Sequence, residues 1–276
     1  MGRPADRAAT PLDRYAHGHH DSVLRSHRWR TVANSAAYLI DDLRPGLDVI
    51  DVGCGPGSIT IDLAARVAPG RVVGVDRSEA PLDEARALAG ERGASNVVFE
   101  VADVSALPQS DATFDVVHAH QLLQHVPDPV AALREMRRVC RPGGIVAARD
   151  VIFGATTWYP DDPGLDRWLA LQQATMRAIG THPDGGRRLH AWARAAGFGS
   201  IRSSATAWCF STPDERAWWG GLWAERVTAS GYADHAIAHG LTPPAELEAI
   251  AAAWRRWAAA DDGWMTVLSG EIRCQP

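Results

Sequence analysis

Two hydrophobic patterns alternate along the middle of the chain, between residues 46 and 152. Short runs rich in β-branched residues, bounded by glycine or acids, predict strands over 47–53, 71–76, 96–103, 114–120 and 145–154. Apolar residues spaced three to four positions apart predict helices over 58–67, 80–93 and 128–140. This alternation predicts right-handed crossovers and a parallel sheet with helices on both faces.

Helical spacing dominates both flanks of this region. Residues 22–43 predict one or two helices upstream. Downstream, helices are predicted over 163–180, 186–199, 213–231 and 243–261, and strands over 201–211 and 264–274. We therefore expect one α/β domain made of an N-terminal helical segment (1–45), a core (46–153), and lid helices with the remaining strands (154–276).

Composition narrows the class of protein. At 46% hydrophobic and 22% charged residues, the 276-residue chain is an ordinary globular sequence. A net charge of −5 gives no support for a nucleic-acid partner, and no apolar run reaches the roughly 18 residues of a membrane span. The four cysteines form no CxxC pair, so neither a zinc site nor a disulfide framework is predicted, and we expect a cytoplasmic protein.

A glycine-rich turn joins the first predicted strand of this core to its helix, in "VIDVGCGPGSIT". Gly53, Gly55 and Gly57 would let the backbone approach a ligand, with N–H groups and a helix dipole directed at it. The spacing differs from the dinucleotide pattern GxGxxG, and no lysine follows as a P-loop requires. Asp51, two residues before the turn, suits a ligand with an ammonium group. The turn alone is consistent with an S-adenosylmethionine (SAM) site, a dinucleotide site or a purely structural bend.

Two further acids favour the SAM site. Asp76 ends the second strand about 20 residues beyond the turn, where a carboxylate can accept both hydroxyls of a ribose. Asp103 ends the third strand and suits the exocyclic amine of an adenine. One such acid alone more commonly caps a helix. Acids at three successive strand ends indicate an adenosyl ligand.

The motifs "DVGCGPG", "GVDRS", "VADVSALP", "FDVVHAHQLLQHVPDP" and "LREMRRVCRPGGIV" resemble, in order and spacing, those of class I SAM-dependent methyltransferases. They are most similar to the ubiquinone/menaquinone-biosynthesis branch, over about residues 46–150. The resemblance implies a Rossmann-like, doubly wound, seven-stranded and mostly parallel sheet with helical lid insertions. Its antiparallel last strand would be 264–274, and "RPGG" (141–144) would be the turn before the fifth strand.

The resemblance also implies how SAM, the expected cofactor, is held. The residues implied are Asp51, Gly53, Gly55 and Gly57 beside the methionine part, Asp76 and Arg77 at the ribose, Asp103 and Val104 at the adenine, and His120 at the sulfonium side.

Methyl transfer from a sulfonium is an in-line displacement, so the enzyme must align the nucleophile, the methyl carbon and the sulfur. An oxygen or carbon nucleophile usually also loses a proton, for which histidine is suited. His125, after the fourth strand, is a candidate base or a residue that shapes the site. Tyr15 and His20, with His19, are candidates to cap the ligand or act in catalysis, or else belong to a solvated tail. His118 is predicted to be a buried, hydrogen-bonded histidine.

The acceptor pocket is expected in the tryptophan-rich part, since ten of the eleven tryptophans lie between residues 158 and 264. Most of these rings should pack helices together, but Trp158, Tyr159 and Trp219 are candidate walls of an aromatic pocket. Asp150 is a candidate to reach the substrate. Asp150, with Asp161 and Asp162 after it, is also the candidate position for a metal ion, but we expect no metal.

The sequence therefore predicts a SAM-dependent transferase that methylates oxygen, carbon or nitrogen of a small molecule, quinone-like or a specialised metabolite. A SAM-binding protein without transferase activity is the alternative, and an NAD-dependent oxidoreductase is disfavoured by the glycine spacing. A homodimer is kept as a candidate assembly.

Overall fold

The computed structural model describes residues 21–276, in which eight strands form one sheet with helices on both faces. The strands are β1 (Val49–Val52), β2 (Val72–Asp76), β3 (Val97–Val101), β4 (Phe114–His120), β5 (Cys140–Val151), β6 (Thr157–Tyr159), β7 (Ser200–Phe210) and β8 (Trp264–Gln275). The α-helices are α1 (Asp21–Arg28), α2 (Val32–Ser35), α3 (Ser58–Val67), α4 (Glu79–Glu91), α5 (Pro129–Val139), α6 (Pro163–Ala178), α7 (Leu189–Ala195), α8 (Pro213–Ala229), α9 (Gly231–Ala238) and α10 (Pro244–Ala259).

Five parallel strands lie in the order β3-β2-β1-β4-β5, and β8 runs antiparallel beside β5. This confirms the doubly wound, mostly parallel sheet with an antiparallel last strand. The sheet has one strand more than the seven expected. The additional strand is β6, whose three residues pair with β8 and are too few to be predicted from the sequence. β7 also pairs antiparallel with β8, over its whole length.

The fifth strand begins earlier than predicted. Phe114 pairs with Cys140 and Val116 with Ile145, so residues 141–144 bulge out within β5 rather than forming a turn before it. Gly143 has a φ of 81° there, a conformation that glycine adopts without steric cost.

Capping residues define the helix starts around the sheet. Asp128 accepts a hydrogen bond from the Ala131 N–H at the start of α5 (2.9 Å), and Asp162 does the same for Gly164 in α6 (2.7 Å). Residues 22–43, predicted as one or two helices, form α1, α2 and a 3₁₀ turn, and a capping box at Thr31 starts the second helix. α9 was not predicted.

Two groups of buried residues stabilise the domain. The sheet core lies between the parallel strands and helices α3, α4, α5 and α7. The aromatic core lies between β7, β8 and helices α6, α8, α9 and α10. In the aromatic core Trp223 stacks on Trp254, with ring centroids 5.6 Å apart. Trp29, distant in sequence, joins it by contacting Trp208 and Trp218.

Helix α1 is tied to the rest of the fold by arginines. Arg226 of α8 donates to the Ser22 carbonyl and the Ser26 hydroxyl, both at 2.9 Å. Arg28 pairs with Glu84 of α4 at 2.8 Å. Because α4 follows β2 and α8 belongs to the aromatic core, α1 bridges the two halves of the domain. Within the described residues, no helix has the length and hydropathy that crossing a bilayer requires.

Candidate functional site

A cavity of about 430 Å³ opens beyond the carboxyl ends of β1 to β4. One part of its wall, here called the polar end, is formed by the turns and loops that follow these strands. The other part, here called the aromatic end, is formed by Phe153, Trp168, Trp208, Trp219, Trp223 and Val267. Ligands of open α/β sheets bind outside the strand ends where the strand order reverses, which is where β1 and β4 lie side by side.

The glycine turn is held in conformations that side chains rarely adopt. Gly53, Gly55 and Gly57 have φ values of 72°, 54° and 77°. Among residues 21–276, a Cβ on Gly55 would meet only the His27 ring, at 3.8 Å, and Gly55 lines the cavity. Gly57 does not line the cavity; a Cβ there would lie 2.7 Å from that of Ala85, so this glycine allows α4 to pack closely. Its predicted contact with the methionine part has no support in this placement.

The predicted acids converge on the same cavity, which Asp51, Asp76 and Asp103 all line. The Asp76 carboxylate accepts hydrogen bonds from the N–H groups of Gly55 and Ser78, each at 3.1 Å, and so holds the glycine turn against β2. Asp103 accepts from the Ser105 N–H (2.8 Å) and hydroxyl (2.7 Å). These hydrogen bonds lower the pKa of the Asp103 carboxyl, so it is ionised at neutral pH.

Asp51 has protein partners for both oxygens. The Thr60 hydroxyl donates to one at 2.6 Å, and the other lies 2.7 Å from Nδ1 of His118. His118 is fully buried, as predicted. Asp51 therefore links β1, β4 and α3, and its contact with a ligand ammonium group stays a prediction.

Two further histidines line the cavity. His120, at the end of β4, is 6% exposed, and neither ring nitrogen has a hydrogen-bond partner in the described part of the chain. Burial, and then Arg30 and Arg149, lower its pKa well below the ordinary value. Burial, and then Arg30 and Arg77, lower the pKa of His125 to about 3. Both imidazoles are neutral at pH 7, and a group with a pKa near 3 is a weak base, which argues against the base role predicted for His125.

Of the remaining predicted site residues, some line the cavity and others do not. Arg77, Val104 and Trp219 line the cavity. Trp158 and Tyr159 do not: Trp158 packs edge-on against Trp168 (6.3 Å between centroids), and Tyr159 is 53% exposed.

Asp150 is also absent from the cavity wall. It lies beneath it, 1% exposed, against a close backbone contact at Gly185 and Gly186. Its predicted approach to the substrate therefore has no support in this placement. Tyr15, His19 and His20 lie outside the described residues. Within residues 21–276, no group of three His, Cys, Asp or Glu side chains is arranged to hold a metal ion.

Sequence reasoning missed several wall residues. His27 and Arg30 come from the segment around α1, Arg226 from α8, and Trp168 and Trp208 from α6 and β7. Only the tryptophan-rich composition of the downstream part pointed toward the last two.

Asp150 should make stability depend on pH. Burial raises the pKa of its carboxyl to about 7, so the folded chain holds this proton more tightly than the unfolded chain does. The stabilisation is complete below the unfolded pKa of about 4 and is lost as pH rises through 7, a decrease of about 2–3 kcal/mol between pH 5 and pH 8. Asp150→Asn should remove that part of the decrease. Denaturant unfolding of both proteins at the two pH values measures it, and parallel losses would contradict it.

Comparisons with known proteins agree with this geometry. Residues 43–195 match the family model described as a methyltransferase domain. An uncharacterized methyltransferase of Schizosaccharomyces pombe is 35% identical over 99% of this chain and 98% of its own. The demethylmenaquinone methyltransferase of Lactococcus lactis is 40% identical over 37% of this chain and 40% of its own.

Solved structures share the fold. The structure of the [4+2]-cyclase SpnF has 27% identity and a TM-score of 0.53, with 87% of this chain and 80% of that one covered. The phosphoethanolamine N-methyltransferase 2 of Haemonchus contortus, bound to phosphomonomethylethanolamine and S-adenosylhomocysteine, has 19% identity and a TM-score of 0.54 over 85% and 50%. The fold and the cavity define a Rossmann-like methyltransferase domain. This chain belongs to the SAM-dependent methyltransferase family.

The cavity wall fits SAM, the cofactor of this family. At the polar end, the carboxylates of Asp76 and Asp103 and the apolar side chain of Val104 all belong to the cavity wall. At Gly55 the absence of a side chain leaves the backbone exposed to the cavity.

Proposed function

We propose that this methyltransferase transfers the methyl group of SAM to an oxygen, carbon or nitrogen of a small molecule held at the aromatic end. The observation that carries the proposal is that the polar and aromatic ends are walls of one cavity. A molecule among the tryptophans can therefore meet a cofactor bound at the strand ends without crossing protein. A quinone-like or specialised-metabolite acceptor suits an aromatic wall, and the demethylmenaquinone methyltransferase is among the relatives.

The residues of the polar end would hold and orient the cofactor. Asp76 and Arg77 are proposed at the ribose, Asp103 and Val104 at the adenine, and Gly53 with Gly55 along the methionine part. Bound there, SAM supplies a methyl group on a sulfonium whose sulfur is already a good leaving group.

The aromatic end would orient the acceptor and exclude water from the reacting groups. Trp168 and Trp223 are almost fully buried and belong to the aromatic core, so their rings are fixed by packing on several sides. Fixed walls restrict the poses of an acceptor, and holding two reactants in a reactive geometry lowers the barrier of a displacement reaction. They also keep water from the methyl group.

Binding without methyl transfer is the second candidate function. It is favoured by one observation: the structure with 27% identity is described as a [4+2]-cyclase rather than a methyltransferase. In that case the polar end would hold the cofactor and the aromatic end would shape another reaction.

Methyl-labelled SAM distinguishes the two. The protein is incubated with it and a panel of hydroxylated naphthoquinones, phenols and amines, and label is followed into the acceptor. Transfer that depends on the protein supports the proposal. Tight binding of SAM with label never leaving it, over the whole panel, supports the second candidate.

His125→Ala should leave both cofactor binding and methyl transfer largely intact. We expect the dissociation constant for SAM to change less than about threefold, because the neutral imidazole offers no charge to the cofactor. Transfer should fall less than about tenfold, since loss of a true general base costs a hundredfold or more. Calorimetry and initial rates measure the two, and a thousandfold loss of rate with intact binding would restore His125 as the base.

A further inference from the structure

Gln121 lies where the two ends of the cavity meet. It follows the last residue of β4 and lines the cavity. The residue before it, His120, has its ring 5.9 Å from that of Trp208 at the aromatic end. The residue after it, Leu122, packs at the glycine turn of the polar end, where a Cβ on Gly53 would lie 2.9 Å from its side chain. Gln121 therefore borders both the proposed cofactor site and the aromatic end.

The backbone of Gln121 is in a conformation that glutamine rarely adopts. Its φ is 51°, in the left-handed region, and among the described non-glycine residues only Ala112 shares a positive φ. Its N–H donates to the Arg149 carbonyl of β5 at 2.7 Å, which helps to hold this conformation. Strained backbone persists where the surrounding structure fixes it, and such residues cluster at ligand-binding sites. The strain at Gln121 is therefore evidence for a role in binding.

The side-chain amide of Gln121 has one protein partner and one open group. Arg30 Nη2 lies 2.8 Å from the amide oxygen. A guanidinium can only donate, so the amide atom that faces Arg30 is Oε1 and the other is Nε2. Nε2 has no hydrogen-bond partner among residues 21–276, and, unlike the ring nitrogens of His120, it is not closed to water. Its N–H groups are therefore available to a ligand in the cavity.

Arg30 holds this amide on the side of the cavity that Trp208 borders. The Arg30 Cζ lies 5.7 Å from the Trp208 ring centroid, and Trp208 is fixed in turn because its Nε1 donates to the Asn34 carbonyl at 2.7 Å. Rotation of the Gln121 side chain would break its hydrogen bond to Arg30. A donor that is already ordered loses little conformational entropy on binding, so it can select ligands by the position of their acceptor atom.

The chemistry of the amide limits what it can select. Nε2 is uncharged and can only donate, so it matches a neutral oxygen that only accepts, such as a carbonyl. The neighbouring wall at the aromatic end is made of aromatic and aliphatic side chains. A ligand of matching shape without that oxygen would take water from the Gln121 N–H groups and return no partner, which disfavours its binding.

We infer that Gln121 is a specificity-determining residue, whose Nε2 donates a hydrogen bond to a carbonyl oxygen of the methyl acceptor, close to the atom that receives the methyl group. This inference rests on the proposed function and names the substrate class of its site: apolar molecules that carry a ketone or quinone carbonyl.

Calorimetry on the full chain saturated with S-adenosylhomocysteine tests the inference through binding alone. The probes are acetophenone and α-methylstyrene, which share one shape and carry C=O and C=CH₂ respectively. Gln121→Glu keeps the length of the side chain and an oxygen for Arg30, but it replaces the donor by a carboxylate oxygen. It should weaken acetophenone by about tenfold or more and α-methylstyrene by less than about twofold. Equal effects on the two probes, or no binding of acetophenone to the unaltered protein, overturn the inference.

Two further variants complete the test. Gln275→Glu is the matched control, because Gln275 is an exposed residue at the end of β8 that does not line the cavity. It adds the same charge and should change neither affinity by more than about twofold. Gln121→Gly removes the donor without adding charge, at a backbone conformation that glycine adopts readily. It should weaken acetophenone by about fivefold or more, and unchanged binding would overturn the inference.

The affinity for S-adenosylhomocysteine checks folding and separates the two ligands of the cavity. It should stay within about threefold of the unaltered protein in all three variants. A loss of about tenfold or more in Gln121→Glu alone would place the Gln121 amide on the cofactor, and its role toward the methyl acceptor would be overturned.

The two proposals fail separately. If Gln121→Glu separates the two probes as expected but label never leaves SAM, methyl transfer is wrong and the carbonyl site stands. If label is transferred but acetophenone and α-methylstyrene respond equally to Gln121→Glu, methyl transfer stands and the role of Gln121 is overturned.

Discussion

Asp76→Ala is expected to weaken SAM binding by at least a hundredfold. The carboxylate lies at the end of β2 on the cavity wall, where it is proposed to accept both ribose hydroxyls. Each hydrogen bond to a charged group contributes about 1.5–3 kcal/mol, and about 1.4 kcal/mol corresponds to a factor of ten in affinity. The substitution also removes the acceptor of the Gly55 N–H, so the glycine turn loses a support.

Calorimetric titration with SAM and S-adenosylhomocysteine measures this effect. Asp83→Ala is the control, because Asp83 is an exposed acid of α4 that pairs with Arg86 away from the cavity. It should leave the affinity unchanged. Asp76→Asn keeps an acceptor oxygen and should fall between the two. Wild-type affinity in Asp76→Ala would remove the ribose contact from the proposal.

Gly57→Ala is expected to destabilise the domain by about 2–4 kcal/mol, a range typical of strain combined with overpacking. At a φ of 77° a residue with a Cβ is strained. The added carbon would also lie 2.7 Å from the Ala85 Cβ and 3.0 Å from the Phe99 ring. Neither neighbour can retreat freely, since Ala85 and Phe99 are both buried in the sheet core. The loss should appear as a lower free energy of unfolding in denaturant.

Gly90→Ala is the matched control for this substitution. Gly90 lies in α4, and a Cβ there would meet nothing within 4 Å in the described part of the chain. Alanine in place of a helical glycine should raise stability by about 0.5–1 kcal/mol. Similar unfolding free energies for the two variants would show that close packing at Gly57 is not required.

The polar end could be predicted because it depends on local order along the chain. Parallel strands place their carboxyl ends at one edge, so acids at the ends of β1, β2 and β3 had to lie near one another. The predicted limits of α3 and β4 are those observed, because their apolar spacing has the full period of a helix and a strand.

The aromatic end could not be predicted to the same depth. The contact between Arg226 and Ser22 spans 204 residues, and no local spacing encodes it. The surroundings of Asp150 could not be predicted because the sequence shows a strand end but not what packs on it; the backbone of Gly185 and Gly186 lies against this part of β5. Trp158 and Trp219 look equivalent in sequence. Only the pairing of β6 with β8 and the packing of α8 on β7 decide which of the two reaches the cavity.

The clustering of the tryptophans gives the protein an uneven optical signature. Nine of the eleven belong to the aromatic core or pack against it, namely Trp29, Trp158, Trp168, Trp208, Trp218, Trp219, Trp223, Trp254 and Trp257. Indole emission will therefore report almost entirely on one half of the molecule, while far-ultraviolet circular dichroism follows the peptide backbone of both. The midpoints of thermal melts recorded by the two signals coincide if the two halves unfold together. They differ if the half that contains the sheet core stays folded after the aromatic core has unfolded.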